Sequence, residues 1–90
     1  MLDEPQPLVR VKPSKVWHQV SLPSDRTGRV HTWCQQGFGG MLDEKRREQE
    51  RRLVRIAVFE GAERPPEMKP SHRLCALCHF QRTKAAKANA

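Results

Sequence analysis

The chain of 90 residues contains no tyrosine, three phenylalanines and two tryptophans, and only 37% of its residues are hydrophobic. This supply is small for an apolar core, so we expect a metal, a disulfide or a partner to add stability. The sequence also lacks a hydrophobic run of membrane-spanning length, and its start, MLDEPQPLVRVKPSK, lacks the apolar stretch of a signal peptide. We therefore predict a cytoplasmic protein with no membrane partner.

Cysteine is scarce, and the three that occur cannot all pair as intramolecular disulfides. In a reducing compartment an odd set of thiols favours metal binding. Cys75 and Cys78 form a C-x2-C pair, and an H-x2-C pair lies about forty residues earlier. Zinc takes four nitrogen or sulfur ligands, which two such pairs supply. The predicted ligands are His31, Cys34, Cys75 and Cys78, with His79 and His72 as substitutes for His31.

Two alternatives to a zinc site concern its predicted cysteine ligands. His18 is interpreted as a surface residue of a hairpin, and Cys34, next to Trp33, could instead be a small buried apolar residue. Cys75, Cys78 and His79 also spell C-x-x-C-H, which resembles the attachment site of the c-type cytochromes over those five residues. This resemblance implies haem c, with both thiols on the vinyl groups and His79 on the iron.

The order of segments predicts a small α+β fold. Residues 1–14 contain three prolines and are expected to form an extended arm without regular structure. Val16, His18 and Val20 alternate with their neighbours, as do Val30 and Thr32, and turn-forming residues lie between the two stretches. This pattern predicts a β-hairpin, although the long loop leaves its register open.

Two helices are expected after the hairpin. Residues 41–60 favour one central helix of about five turns, although the β-branched stretch from Leu53 to Phe59 also fits a strand. A C-terminal helix capped by Ser71 would carry the C-x2-C pair. We therefore predict a single zinc-stabilised domain over residues 15–80, in which zinc joins the hairpin to this helix. A basic tail rich in alanine and lysine would follow at residues 81–90.

The formal net charge is +7, and no acidic residue follows Glu67. Such a distribution favours a polyanionic partner, and nucleic acid is the common one. The predicted contacts lie in the arm, the central helix and the tail. They are Arg10, Lys12, Lys15, Arg47, Arg51, Arg55, Arg82, Lys84 and Lys87.

The stretch GFGGMLDEKRREQERR resembles the WhiB family of actinobacterial transcription factors over about sixteen residues. In that family a glycine-rich turn runs into an acidic and then arginine-rich helix. The resemblance implies an iron–sulfur cluster as an alternative to zinc, and binding to the sigma factor of RNA polymerase. Gly37, Phe38, Gly39 and Gly40 would form the turn. This chain has three cysteines, whereas the family uses four.

Two functions follow from these patterns. In the first, the domain binds DNA or RNA through its basic residues and acts in transcription or another nucleic-acid process. In the second, it is an adaptor on RNA polymerase or the ribosome, with exposed Trp17, Trp33 and Phe38 as anchors. An enzyme is not predicted, because no acidic residue falls within either metal-binding pair.

Overall fold

The computed structural model describes residues 6–41, 43–58 and 64–88, which form an antiparallel β-sheet with two helices. This confirms the small α+β class. The elements in chain order are β1 (Gln6–Val11), β2 (Val16–Leu22), β3 (Val30–Thr32), β4 (Gly37–Phe38), α1 (Glu44–Arg52), β5 (Leu53–Val58), β6 (Arg73–Leu74) and α2 (Ala76–Ala88).

The sheet runs in the order β4-β3-β2-β1-β5, and β6 adds a short parallel pairing to β2. The strands β2 and β3 form the hairpin that the alternating pattern predicts, with Val20 opposite Thr32. An irregularity between Val20 and Leu22 shifts the register toward the loop end. The two central strands, β1 and β2, thus hold the sheet together.

A hydrophobic cluster covers each face of the sheet. Adjacent residues of a strand point to opposite faces, so Leu8 and Val9 of β1 belong to different clusters. Leu8 packs with Trp17 and Met68, and Val54, Ile56 and Val58 border this cluster. The second cluster consists of Val9, Val30 and Phe38, bordered by Val11, Val20 and Leu53. Both clusters include β1, which makes it the centre of the core.

The prediction of an arm without regular structure is wrong for residues 6–11, while residues 1–5 lie outside the described ranges. These six residues form β1, which pairs along its whole length with β5 and also contacts β2. Pro7 lies near the start of the strand, and the next four residues, LVRV, supply apolar side chains to both faces. Burial on two faces therefore outweighs the local effect of the prolines.

The prediction of one continuous central helix is also wrong. The side chain of Asp43 caps α1 by accepting from the Arg46 N–H at 2.9 Å, but the helix ends at Arg52. The chain then becomes extended at Leu53 and forms β5, the strand considered as the alternative. Because β5 pairs fully with β1, its backbone hydrogen bonds and apolar side chains favour the sheet over a longer helix.

The turn before α1 contains two glycines that no other residue replaces easily. Gly39 has φ +78° and Gly40 has φ +118°, and the Gly39 N–H donates to Gln49 Oε1 on α1 at 3.1 Å. Positive φ angles are strained for residues with a side chain. These two glycines therefore allow the chain to change direction sharply after β4.

The C-terminal helix is present but starts later than Ser71. Residues 73–74 form β6, and α2 runs from Ala76 to Ala88, so it includes most of the predicted tail. The last two residues of that tail lie outside the described ranges. In the part of the chain that the structure describes, no helix combines the length and apolar character that crossing a membrane requires.

Candidate metal centre

The strand β2 has two different neighbours along one edge. Toward its end it pairs with β3, where Val20 faces Thr32, and toward its start it pairs with β6, where Trp17 faces Leu74. His18 lies between these two pairings. We call this position on β2, at His18 between the β6 pairing and the β3 pairing, the fork.

Cysteine residues reach the fork from both sides. The Trp33 N–H donates to the Gln19 carbonyl at 3.0 Å, which places the next residue, Cys34, beside the fork. From the other side, the Cys75 N–H donates to the Trp17 carbonyl at 2.8 Å. Helix α2 begins directly after Cys75, and its first turn brings Cys78 back to the same place.

The four side chains His18, Cys34, Cys75 and Cys78 converge, with their potential ligand atoms all within 4.8 Å of one another. His18 Nδ1 lies 3.4 Å from Cys34 Sγ and 3.7 Å from Cys78 Sγ. Zinc bond lengths of about 2.0–2.3 Å require N···S separations of roughly 3.6 Å in a tetrahedron. The cluster could therefore hold one metal ion.

The prediction that His31 completes the cluster is corrected by this geometry. His31 Nε2 lies 2.6 Å from Asp25 Oδ2, in the loop end of the hairpin. The hydrogen bond to His31, with others from Thr27 and the Arg29 N–H, holds the pKa of Asp25 well below its usual range. His31 thus orders the hairpin loop, and His18 takes the fourth position at the fork.

The two predicted substitutes also lie outside the cluster. His72 is buried, and its Nδ1 accepts from Trp17 Nε1 at 3.1 Å and from the Lys69 N–H at 3.2 Å. His79 follows Cys78 on α2, but its side chain is exposed. The histidine that sequence reasoning placed on the surface is therefore the one that the fold brings to the thiols.

Strand register was the signal that could have identified His18. Val20 pairs with Thr32, and continuing this antiparallel register by two residues along each strand places Cys34 opposite His18. The sequence contained both residues, but the eight-residue loop left the register open. The H-x2-C spacing in the sequence favoured His31, whereas the register between β2 and β3 favours His18.

The local environment affects three of the four potential ligands in different ways. Burial lowers the pKa of His18, which keeps its imidazole neutral and able to coordinate. Burial raises the pKa of Cys34, but hydrogen bonds from the Thr32 hydroxyl and the Cys78 thiol outweigh it and the net shift is downward. Burial, followed by the hydrogen bond with Cys34, raises the pKa of Cys78 to about 12. A cation would displace that proton on binding.

The backbone supports the thiols as well. Backbone hydrogen bonding from Gln19 and Cys34 partly offsets the upward shift of the Cys78 pKa, and that from Gln36 contributes to the downward shift of the Cys34 pKa. Gln35 has φ +66° within the turn from β3 to β4, and its N–H donates to the Thr32 carbonyl at 2.9 Å. Cys75 and Cys78 also lie at the N-terminal end of α2, where the helix dipole favours negative charge.

Two of the three aromatic residues that were predicted to be exposed anchors for a protein partner are buried. Trp17 has no exposed surface and Phe38 is only 7% exposed, so the prediction that both are exposed is wrong. Trp17 belongs to the core, and the Phe38 ring lies 5.1 Å from the ring of His18. Only Trp33 remains partly accessible.

The nine predicted basic contacts occupy four places, and the first three lie on β1 and the segment that follows it. Helix α1 carries two of them, β5 carries Arg55, and α2 carries the last three, so the contacts expected on one central helix are divided between α1 and β5. Arg10 is half-buried and lies 5.2 Å from the Trp17 ring centre, which gives it a packing role. Most of the others are exposed, namely Lys12, Lys15, Arg47, Arg51, Arg55, Lys84 and Lys87, while Arg82 is half-buried.

We compared the chain with models of known protein families, with curated proteins and with solved structures, and none of these comparisons gives a match. The resemblance to the WhiB family therefore stays a prediction. A histidine and three cysteines meet at the fork, where they could bind a metal ion.

Proposed function

We propose that this protein is a small zinc-binding module that binds nucleic acid through its basic surface. The convergence of one imidazole and three thiols within 4.8 Å is the observation that carries this proposal. The ligands come from β2, from the turn after β3 and from the start of α2. One ion would thus connect the hairpin to the C-terminal helix.

Zinc is the metal that this ligand set favours. Three thiolates and one imidazole form a common structural zinc site, and four protein ligands fill a tetrahedron without a position for substrate. This supports binding rather than catalysis. The N···S distances of 3.4 and 3.7 Å suit a single ion, whereas a cluster of several irons would hold its ligands farther apart.

Haem attachment is less compatible with the geometry. Covalent haem would require two accessible thiols near an available His79, but Cys78 has no exposed surface and packs toward Cys34 and His18. The side chain of His79 is exposed on α2. The C-x-x-C-H stretch is therefore better explained as half of a zinc site.

Charge supports nucleic acid as the partner. The protein carries a net charge of +7, and all charged residues after Glu67 are basic. Lys84 and Lys87 are exposed on α2, which the proposed ion attaches to the sheet. A rigid helix bearing cations is suited to phosphate contacts.

The metal proposal is tested by measuring bound metals and the visible spectrum of protein purified anaerobically without chelators. We expect about one zinc per chain and no colour. His18→Ala should lower the zinc content and zinc affinity, while the matched variant His31→Ala should keep both. Brown colour with iron and sulfide, a haem band, or equal zinc loss in both variants would contradict the proposal.

The nucleic-acid proposal is tested by fluorescence anisotropy with labelled single-stranded and duplex oligonucleotides over a range of salt concentrations. The logarithm of the binding constant should fall linearly with the logarithm of the salt concentration. The double variant Lys84→Ala/Lys87→Ala should make this slope shallower by about two if both residues contact phosphate. Absence of binding to every oligonucleotide at low salt would refute this function.

An adaptor function is the second candidate, and an exposed apolar patch favours it. Leu74, Leu77 and Phe80 are 47%, 52% and 61% exposed, and they follow one another at intervals of three residues from β6 into the start of α2. Exposed aromatic and aliphatic side chains of this kind are frequent at protein interfaces. Co-sedimentation with purified RNA polymerase or ribosomes, lost in Phe80→Ser and kept in Trp33→Ala, would support this function instead.

A further inference from the structure

A groove of about 380 Å³ lies between α2 and the turn that carries Cys34. One wall is formed by the turn after β3 and the other by the exposed end of α2. The residues that shape it include Trp33, Gln35, Gln81, Lys84, Ala85 and Ala88. This groove lies next to the fork, but the four potential metal ligands do not line it.

We propose that this groove binds one unstacked nucleotide of a single-stranded nucleic acid. The inference rests on the proposed function and specifies its substrate. Trp33 offers the one partly accessible indole of the chain, since Trp17 is fully buried. Bases stack on aromatic side chains of this kind in proteins that bind single strands.

The polar residues of the groove complement a nucleotide. Gln35 and Gln81 each carry an amide that can both donate and accept, which suits the hydrogen-bonding edge of a base. Lys84 is exposed at the same groove and can contact a phosphate. The eight side chains that line the groove include no acidic residue, so nothing there repels a phosphate.

The shape favours a single strand over a duplex. A base in a duplex is stacked on both faces and paired at its edge, so it cannot enter a groove without being flipped out. A single strand already exposes base faces and edges. The small alanines at positions 85 and 88 leave space on the helix wall where larger side chains would close the groove.

The proposed ion would hold both walls of the groove. Trp33 directly precedes the ligand Cys34, and the other wall belongs to α2, whose buried ligand is Cys78. Without metal, the two walls lose their common anchor. We therefore expect binding of the single strand to require the metal, whereas loose attraction of nucleic acid to scattered basic residues would not.

The test uses the zinc-loaded full chain with a labelled 12-nucleotide single strand and a duplex of the same length. We expect tighter binding of the single strand, with partial quenching of the tryptophan fluorescence by the bases. Trp33→Ala should weaken this binding by roughly 5- to 100-fold, and Trp33→Phe should restore most of it. Chelation of the metal should abolish the preference for the single strand.

A second pair of variants avoids any effect on folding near the metal. Ala88→Glu places a carboxylate in the groove, while Ala86→Glu adds the same charge on the exposed surface of α2 outside it. The two positions lie about 200° apart around the helix. We expect Ala88→Glu to weaken single-strand binding at least several-fold more than Ala86→Glu.

The outcomes separate this inference from the proposed function. Equal effects of Ala88→Glu and Ala86→Glu, or unchanged binding by Trp33→Ala with retained zinc, would overturn the groove while leaving nucleic-acid binding intact. A preference for the duplex would also overturn it. Failure to bind either probe would refute the proposed function itself.

Discussion

Removal of the metal should unfold α2 while the sheet persists. Over Ala76–Ala88, Cys78 is the single buried side chain, and this residue is one of the four proposed ligands. Apart from the ligands, β6 adds only two paired residues to β2. The proposed metal would therefore be the main attachment of α2 to the domain.

The size of the effect follows from the lengths of the helices. Helix α2 has 13 residues and α1 has 9, so α2 accounts for about three fifths of the helical residues. An isolated helix of this length is marginal in water. Chelation should thus reduce the helical circular dichroism signal by about three fifths. By contrast, α1 is capped by Asp43 and joined directly to β5, so it should remain.

The assay combines circular dichroism with amide hydrogen exchange before and after chelation. Exchange should become fast in α2 and stay slow in β1, which is paired on both sides. His18→Ala should reproduce the chelated state at limiting zinc, and His31→Ala should keep the full helical signal. Full helicity after complete metal removal, or loss of the whole sheet with α2, would refute the reasoning.

Three further predictions concern stability. His72 accepts two N–H donors at Nδ1, and burial, with the charges of Arg10, Lys69 and Lys15, lowers its pKa. Neutral His72 should therefore stabilise the fold fully above pH 6.5, and this contribution should decline as the pH falls below that value. Urea unfolding at pH 7.5 and 5.5 should show that the free energy of unfolding declines less in His72→Asn than in the unsubstituted protein, at constant zinc content. Gly40→Ala should cost about 1–3 kcal/mol in chemical denaturation, because φ there is +118°, and an unchanged midpoint would contradict this account. Asp25→Ala should lower the melting temperature without loss of zinc, since it removes the partner of His31 in the loop; a fall in zinc content would instead connect that loop to the metal.

Local patterns in the sequence predicted the elements whose side chains determine their own structure. The alternation around Val20 and Thr32 indicated the hairpin, and the spacing of Cys75 and Cys78 indicated one half of the metal centre. The alternation within each strand and the spacing of the two cysteines both depend on residues only a few positions apart. Their detection therefore required no knowledge of the rest of the fold.

The features that were missed depend on contacts between distant residues. The prolines of residues 1–14 concealed β1, whose stability comes from pairing with β5 some fifty residues later. The same pairing converts the end of the expected helix into a strand. The fourth ligand was missed for a related reason, since the position of His18 opposite Cys34 depends on a register that the loop sequence does not determine.

The fork on β2 also has a consequence for the order of folding. Val16 and Arg73 pair there, and closing a loop of about 57 residues costs roughly 3–4 kcal/mol in chain entropy. The two paired residues of β6, the packing of Met68 against Trp17 and the hydrogen bond from Trp17 to His72 offset part of this cost, and coordination of a metal by both sides would add to them. We expect the hairpin and β1 to form first, at a rate independent of zinc, and the last third of the chain to dock afterwards at a rate that rises with zinc concentration. Binding of the ion would then be the late step that completes the fold.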